Sequence, residues 1–213
     1  MDTSPLGEIA QRLRDYLTEK HEAREVALSL CREVVRLSAN AVRAAHRSEF
    51  EAAAELLAQA RAKLDQADEA LQRHRDIYYG GFVHDAAKEY AEAVCTLALL
   101  SGRRLPTPEE VGVEAQAYLN GLGEAVGELR RHLLDMLRQG DLARCEETLT
   151  AMSDIYDALV TMDYPEAVTG GLRRTTDAVR ATLERTRGDF TLAYVQRRLE
   201  ERLDALLEGR GRP

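Results

Sequence analysis

Residues 114–140 read EAQAYLNGLGEAVGELRRHLLDMLRQG, and this stretch indicates the fold class most directly. Its large aliphatic residues recur every three or four positions, which is the spacing of side chains on one face of an α-helix. These residues are Leu119, Leu122, Val126, Leu129, Leu133 and Leu137. No proline interrupts the stretch, and Gly140 follows it where a helix commonly ends. The stretch therefore predicts one long amphipathic helix.

The residues before this stretch predict three further helices. Residues 6–46 keep a mostly three-to-four apolar spacing and form the first one. Ser48 and Glu51 have the spacing of a capping box, which predicts that a second helix starts there and runs to about Tyr78. A pair of glycines breaks that helix, and a third helix covers residues 82–100.

The residues on either side of the fourth helix predict a short helical turn and two more long helices. Thr107-Pro108 is a cap followed by proline, which predicts a short helical turn. Asp141 caps a fifth long helix that ends near Asp163. Tyr164-Pro165 opens a sixth, and we expect Gly188 to interrupt it.

Composition supports the same fold class. The 213 residues are 45% hydrophobic and 31% charged, with only 5 prolines and no tryptophan, as is typical of long helices. Connections between the predicted helices are short, which favours antiparallel neighbours. We therefore predict an all-α fold, a single-domain antiparallel bundle of about seven helices over residues 1–207. A disordered tail is expected at residues 208–213.

Two features predict a cytoplasmic protein with no membrane partner. No apolar run approaches the roughly 18–20 residues that a membrane span needs, and the N-terminus lacks the pattern of a signal peptide. Cys31, Cys95 and Cys145 are far apart along the chain and lie among apolar helical neighbours. This arrangement favours buried free thiols in a reducing compartment over disulfides or a zinc site.

Two pairs of glutamates are the main candidates for chemistry. Glu89 and Glu92 are three residues apart, so they share one face of the third helix just before its apolar run. Glu124 and Glu128 are four residues apart on the fourth helix, on the face opposite its leucines. On an isolated amphipathic helix such a face is solvated. A functional role therefore requires that this face line a cavity or an interface.

If the two pairs met, their four carboxylates could bind divalent cations. Oxygen ligands suit Mg²⁺ or Mn²⁺, and two such ions can activate a water and stabilise the attacking and leaving oxygens of a phosphodiester. A di-iron centre is the competing use of carboxylates on helices, but it needs Glu-x-x-His on two helices. Here the third residue after Glu89 is Glu92, and the third after Glu128 is Arg131, which disfavours iron.

Positive charge is concentrated locally although the formal net charge is −8. One group recurs on a single face of the first helix, and a second group stands beside paired tyrosines. The candidates for RNA contact are Arg32, Arg36, Arg43, Arg73, Arg75, Tyr78 and Tyr79. Arginines beside aromatic rings suit the stacking of unpaired bases. The alternative is a solvated surface on which these arginines pair with acidic neighbours.

Two segments resemble the translin family. Residues 118–131, YLNGLGEAVGELRR, followed at unbroken spacing by Gly140-Asp141, are similar to the family's Tyr-Leu-x-Gly stretch, its Gly-Glu-Leu-x-Arg core and its downstream Gly-Asp. Residues 88–93, KEYAEA, resemble the Glu-Tyr-x-Glu-Ala stretch of the catalytic branch, translin-associated factor X. The order and lengths of the helices fit as well. We expect a prokaryotic or archaeal homologue.

The resemblance implies both an assembly and an activity. It implies a closed homo-oligomeric shell, roughly an octamer, that binds single-stranded RNA and sometimes single-stranded DNA on its inner surface. It also implies endonucleolytic cleavage of RNA with Mg²⁺ by a carboxylate cluster. A polar helix face that points away from the subunit core would then look into the cavity of the shell.

Residue roles carry over by position. Glu89 and Glu92 match the first acidic pair, and Glu128 matches the acid of the Gly-Glu-Leu motif. Glu124 stands where the family pattern has aspartate. Arg131 matches the motif arginine and is expected to orient a carboxylate or a phosphate.

The sequence thus leaves three hypotheses. The first is a metal-dependent endoribonuclease that acts on single-stranded RNA. The second is a non-catalytic shell that binds single-stranded RNA or DNA. The third is a purely structural helical scaffold.

Overall fold

The computed structural model describes residues 3–210, with side chains through residue 207, and every regular element in that range is an α-helix. In chain order the helices are α1 (Leu6–His46), α2 (Phe50–Ala70), α3 (Arg75–Tyr78), α4 (Phe82–Leu100), α5 (Pro108–Val111), α6 (Ala115–Gln139), α7 (Leu142–Val160), α8 (Glu166–Thr169) and α9 (Leu172–Arg210). Helices α3, α5 and α8 have only four residues each. The all-α prediction is confirmed.

The chain divides into two compact units, and α6 runs without a break through the boundary between Gly121 and Leu122. In the first unit, α1 packs along both α2 and α4. The packed faces consist of apolar residues at helical spacing. They include Cys31, Val34, Leu37, Ala53, Leu57, Leu64, Ala91 and Cys95, all of which are buried. Burial of these stripes holds the three helices together.

In the second unit, α7 packs against α9. Buried residues of α7 and α9 form its apolar core, and they include Met152, Ile155, Leu159, Leu172, Val179 and Leu183. Arg130 ties α6 to α9, because its guanidinium donates to Thr186 Oγ1 at 2.9 Å and to Asp189 Oδ2 at 2.7 Å. The neighbouring Arg131 is exposed. Adjacent arginines of α6 therefore have different surroundings.

The predicted capping box at Ser48 and Glu51 is wrong. Helix α2 begins at Phe50, and no side chain caps it. Ser48 instead has a φ of 60° and ends α1, because its N–H donates to Ala45 O at 2.9 Å while the N–H of Glu49 donates to Ala44 O at 3.0 Å. These two bonds satisfy the last carbonyls of α1 in the pattern of a Schellman motif.

The second predicted helix also ends earlier than expected, at Ala70 rather than near Tyr78. The chain turns because His74 is buried against α1, where its ring meets Tyr16 edge-on at a centroid distance of 6.0 Å. The Nε2 atom of His74 lies 3.9 Å from Glu19. These contacts with residues more than fifty positions earlier override the local helical preference.

The predicted interruption at Gly188 is also wrong, because α9 continues through it. Gly188 is exposed and a single glycine costs a helix only about 1 kcal/mol, so its neighbours carry the helix past it. The predicted disordered tail began at residue 208. Helix α9 continues through Arg210, and residues 211–213 lie outside the described residues.

The three cysteines are free and buried, as predicted. Burial in apolar surroundings raises the pKa of Cys31 to about 11 and that of Cys95 to about 12, so both thiols stay protonated at neutral pH. Among residues 3–210, no helix combines the length and apolar character that a bilayer crossing requires.

Helix α6 begins directly against α4, and Gly121 makes this approach possible. A Cβ atom at position 121 would lie 2.6 Å from the carbonyl oxygen of Lys88, 2.7 Å from the backbone nitrogen of Glu92 and 2.9 Å from Ala91 Cβ. Two of these atoms belong to the backbone of α4 and cannot move aside without bending the helix. Only glycine fits at this position.

Replacing Gly121 with alanine is expected to lower the free energy of unfolding by about 1–3 kcal/mol, the usual effect of overpacking a tight contact. The matched control is Gly188→Ala, because Gly188 is also a helical glycine but has nothing within 4 Å of its Cβ position. That variant is expected to gain about 0.5–1 kcal/mol from better helix propensity. Denaturant unfolding followed by circular dichroism, at matched protein concentration, measures both. A Gly121→Ala variant as stable as the wild type would contradict the close approach.

Candidate functional site

Helix α4 supplies two of the predicted carboxylates. It starts after Gly81, whose φ of 101° only glycine adopts readily, and it places Glu89 and Glu92 on one face. Both side chains are half-buried, and the apolar residues 93–100 that follow are mostly buried. The Glu89 carboxylate lies 4.0 Å from Lys88 Nζ. The pair therefore stands where the helix enters the apolar core, and not on a fully solvated face.

Helix α6 supplies the third carboxylate. Glu124 follows Gly121 by three residues and so projects from the side of α6 that approaches α4. Carboxylate oxygens of Glu89, Glu92 and Glu124 all lie within 4.8 Å of one another, and all three side chains are half-buried. The structure thus brings together three of the four predicted glutamates.

This carboxylate cluster has the donor set of a site for a hard divalent cation. Three carboxylates at this separation repel one another unless a cation or bound protons neutralise them. All three donors are oxygens, which Mg²⁺, Mn²⁺ and Ca²⁺ prefer. No histidine or cysteine of the described residues belongs to the cluster, which disfavours zinc and the di-iron motif. The residues present therefore fit Mg²⁺ or Mn²⁺.

Glu128 lies outside the carboxylate cluster. It follows Glu124 by one helical turn, which separates the Cβ atoms by about 5–6 Å. Its side chain is 25% exposed, and one carboxylate oxygen lies 3.8 Å from Nη1 of Arg131. The predicted partnership of Arg131 with a carboxylate is thus present in the structure, and Glu128 is that carboxylate.

The predicted aromatic and basic residues between α2 and α4 lie together, and we call Arg73, Arg75, Tyr78 and Tyr79 the tyrosine–arginine cluster. The two tyrosine rings meet edge-on at 5.1 Å, and the Arg75 guanidinium lies 4.8 Å from the centroid of the Tyr78 ring. Tyr79 is 68% exposed. Arg75 is held by Asp68 at 2.6 Å, and Arg73 lies 3.6 Å from Glu19. The cluster thus offers one open ring, that of Tyr79, and both of its arginines have acidic partners.

The three predicted arginines of α1 are exposed, as their helical spacing requires. Within the described residues, Arg32 and Arg36 have no ion-pair or hydrogen-bond partner, whereas Arg43 donates to Asn40 Oδ1 at 2.5 Å. Arg32 and Arg36 therefore present unneutralised positive charge, and Arg43 is partly engaged.

The sequence interpretation missed two features, one on α6 and one on α9. On α6, Gly121 is buried against α4 and brings Glu124 to Glu92. A glycine inside a long helix, three residues before a glutamate, was the available signal. On α9, Arg174 lines a crevice together with Glu124.

Comparisons with known proteins identify structures that share this fold. No protein-family model matches the chain. The structure of AfC3PO in complex with duplex RNA is 32% identical and covers 88% of this chain and 97% of that one, with a TM-score of 0.81. A second AfC3PO structure is 33% identical and covers 88% and 98%, with a TM-score of 0.80. Apo-NeC3PO, at 19% identity, covers 86% and 96% and shares the fold with a TM-score of 0.78.

A relative in sequence also matches nearly the whole chain. MJ0175 of Methanocaldococcus jannaschii, a protein of uncharacterised function, is 29% identical over 196 residues, which span 90% of this chain and 85% of that protein. The all-helical architecture and the identity of 32–33% to AfC3PO over nearly the whole of both chains indicate the same family. The chain belongs to the C3PO family of translin-like proteins.

Proposed function

We propose that this protein is a Mg²⁺-dependent endoribonuclease that cleaves single-stranded RNA inside a closed homo-oligomeric shell in the cytoplasm. The observation that carries the proposal is the convergence of Glu89, Glu92 and Glu124 to within 4.8 Å. Half-buried carboxylates that are crowded together favour a bound cation over solvation by water alone. The same residues favour the catalytic branch of the family, that of translin-associated factor X.

The residues of the site have distinct roles in this proposal. Glu89, Glu92 and Glu124 hold the cation, and Glu128 supplies a fourth carboxylate one turn away. Arg131 orients Glu128 through the contact at 3.8 Å. When bound, Mg²⁺ would activate a water nucleophile and neutralise charge on the phosphate oxygens. No serine or cysteine nucleophile is needed, which agrees with thiols that stay protonated because burial raises their pKa.

RNA binding is assigned to the tyrosine–arginine cluster and to the arginines of α1. Tyr79 offers an exposed ring on which a base can stack, and Arg75 lies over the adjacent ring of Tyr78. AfC3PO, whose fold this chain shares, has been captured in complex with duplex RNA. With a net charge of −8, the protein needs local positive charge to attract phosphates, and the exposed Arg32 and Arg36 of α1 supply it.

A non-catalytic RNA-binding shell is the second candidate function. It is favoured by the position of the tyrosine–arginine cluster, which lies outside α4 and α6 and uses no carboxylate of the proposed metal site. This function predicts salt-sensitive RNA binding without cleavage.

Cleavage of a labelled single-stranded RNA tests the catalytic proposal. The wild-type protein is expected to cut the RNA internally with Mg²⁺ and to be inactive with EDTA. Glu89→Gln, Glu124→Gln and Glu128→Gln are each expected to lower the rate by about two orders of magnitude, the scale on which loss of transition-state charge stabilisation acts. Gel electrophoresis of end-labelled products measures the rate, and a duplex RNA of the same sequence measures strand preference.

The matched control is Glu147→Gln, because Glu147 is an exposed glutamate on α7 outside the carboxylate cluster. It should cleave at the wild-type rate. Equal activity of all variants, with and without EDTA, would reject the metal-dependent mechanism. Intact RNA in every arm, together with RNA binding by all variants, would instead establish the non-catalytic shell.

Tyr79→Ala tests the stacking role of the tyrosine–arginine cluster. We expect it to weaken binding of single-stranded RNA by about tenfold, since base–aromatic stacking contributes roughly 1–3 kcal/mol per base. Fluorescence anisotropy in EDTA measures affinity without cleavage. Tyr164→Ala is the control, because Tyr164 is 64% exposed and lies outside the cluster. Unchanged affinity of Tyr79→Ala would remove this ring from the RNA-binding surface.

A further inference from the structure

A crevice of about 310 Å³ lies in the second unit, between α6 and the first turns of α9. Two glycines of α6, Gly123 and Gly127, line the crevice. Gly123 packs directly against the side chain of Thr175, whereas nothing lies within 4 Å of a Cβ placed at Gly127. The volume is at the lower end of the roughly 300–1,000 Å³ typical of ligand pockets. The crevice therefore has room for one small ligand.

The chemistry of the crevice walls is divided between an apolar part and a charged part. Val126 and Val179 line it and are themselves almost fully buried, so they form an apolar floor. Arg174 also lines the crevice, is exposed, and has no ion-pair or hydrogen-bonding side-chain partner within the described residues. An unneutralised guanidinium beside an apolar floor fits a ligand with a phosphate and a flat ring.

Glu124 connects this crevice to the proposed metal site. Its side chain lines the crevice and also contributes an oxygen to the carboxylate cluster. A ligand in the crevice would therefore lie next to the reacting phosphate. Of the components of RNA, a single nucleotide combines the required negative charge with a flat base, whose faces can pack on apolar side chains.

We propose that this crevice binds the nucleotide next to the scissile phosphate of the RNA. Arg174 binds the phosphate of that nucleotide, and its base lies on the floor formed by Val126 and Val179. The inference rests on the proposed nuclease function for its biological meaning. By holding that nucleotide, the crevice fixes which phosphodiester bond reaches the carboxylate cluster.

Binding of AMP and adenosine to the protein tests the site without any cleavage. Isothermal titration calorimetry or ligand-observed NMR measures both affinities. Gly127→Leu fills the crevice and is expected to weaken both ligands by at least roughly tenfold. Arg174→Gln is expected to weaken AMP by at least roughly tenfold while changing adenosine binding little, because only AMP carries the phosphate.

Two matched variants control for folding and general charge. Gly188→Leu makes the same substitution at another helical glycine with open space, and Arg185→Gln removes another exposed arginine of α9 that has no ion-pair partner within the described residues. Both should bind AMP as the wild type does. Circular dichroism melting of Gly127→Leu and Arg174→Gln verifies that they fold.

The outcomes separate this inference from the proposed function. No AMP binding by the wild type, or binding that neither Gly127→Leu nor Arg174→Gln weakens, overturns the nucleotide site. Equal loss of AMP and adenosine in Arg174→Gln overturns the assignment of the phosphate to that arginine. AMP binding with the expected losses supports the site even if RNA cleavage fails, in which case only the nuclease proposal is lost.

Discussion

At Gly121 the backbone of α6 lies directly against the backbone of α4, and the candidate site depends on this contact. A side chain there would collide with the carbonyl oxygen of Lys88 and the nitrogen of Glu92. Without one, α6 lies directly on α4 just before the turn that carries Glu124. Glycine weakens a helix by roughly 0.5–1 kcal/mol relative to alanine, so the chain gives up local stability for this contact.

The consequence of that approach is electrostatic. Glu89, Glu92 and Glu124 are held within 4.8 Å of one another and half-buried, where like charges repel more strongly than in water. A divalent cation bound there would relieve this repulsion through the oxygen ligands that it prefers. The proposed cleavage of RNA depends on that cation, and Glu124 also lines the crevice beside Arg174.

Much of the fold was predictable because helical periodicity is a local property. The bounds of α1 and α4 and the pairing of glutamates along α4 and α6 follow from spacing alone. Ser48 was misassigned because its spacing to Glu51 satisfies a capping box, while its actual role is to end the preceding helix. The turn at His74 and the contact at Gly121 depend on residues distant in sequence, which periodicity does not reveal.

Direct binding of Mn²⁺, followed by electron paramagnetic resonance in the absence of RNA, tests the central claim. The account predicts saturable binding to the wild-type protein that Glu92→Gln and Glu124→Gln each weaken by at least roughly tenfold, a loss of about 1.4 kcal/mol or more, while Glu147→Gln binds normally. It also predicts that Mg²⁺ displaces the bound Mn²⁺. Equal Mn²⁺ affinity in the wild type and both cluster variants would contradict it, because the three carboxylates would then hold no cation together.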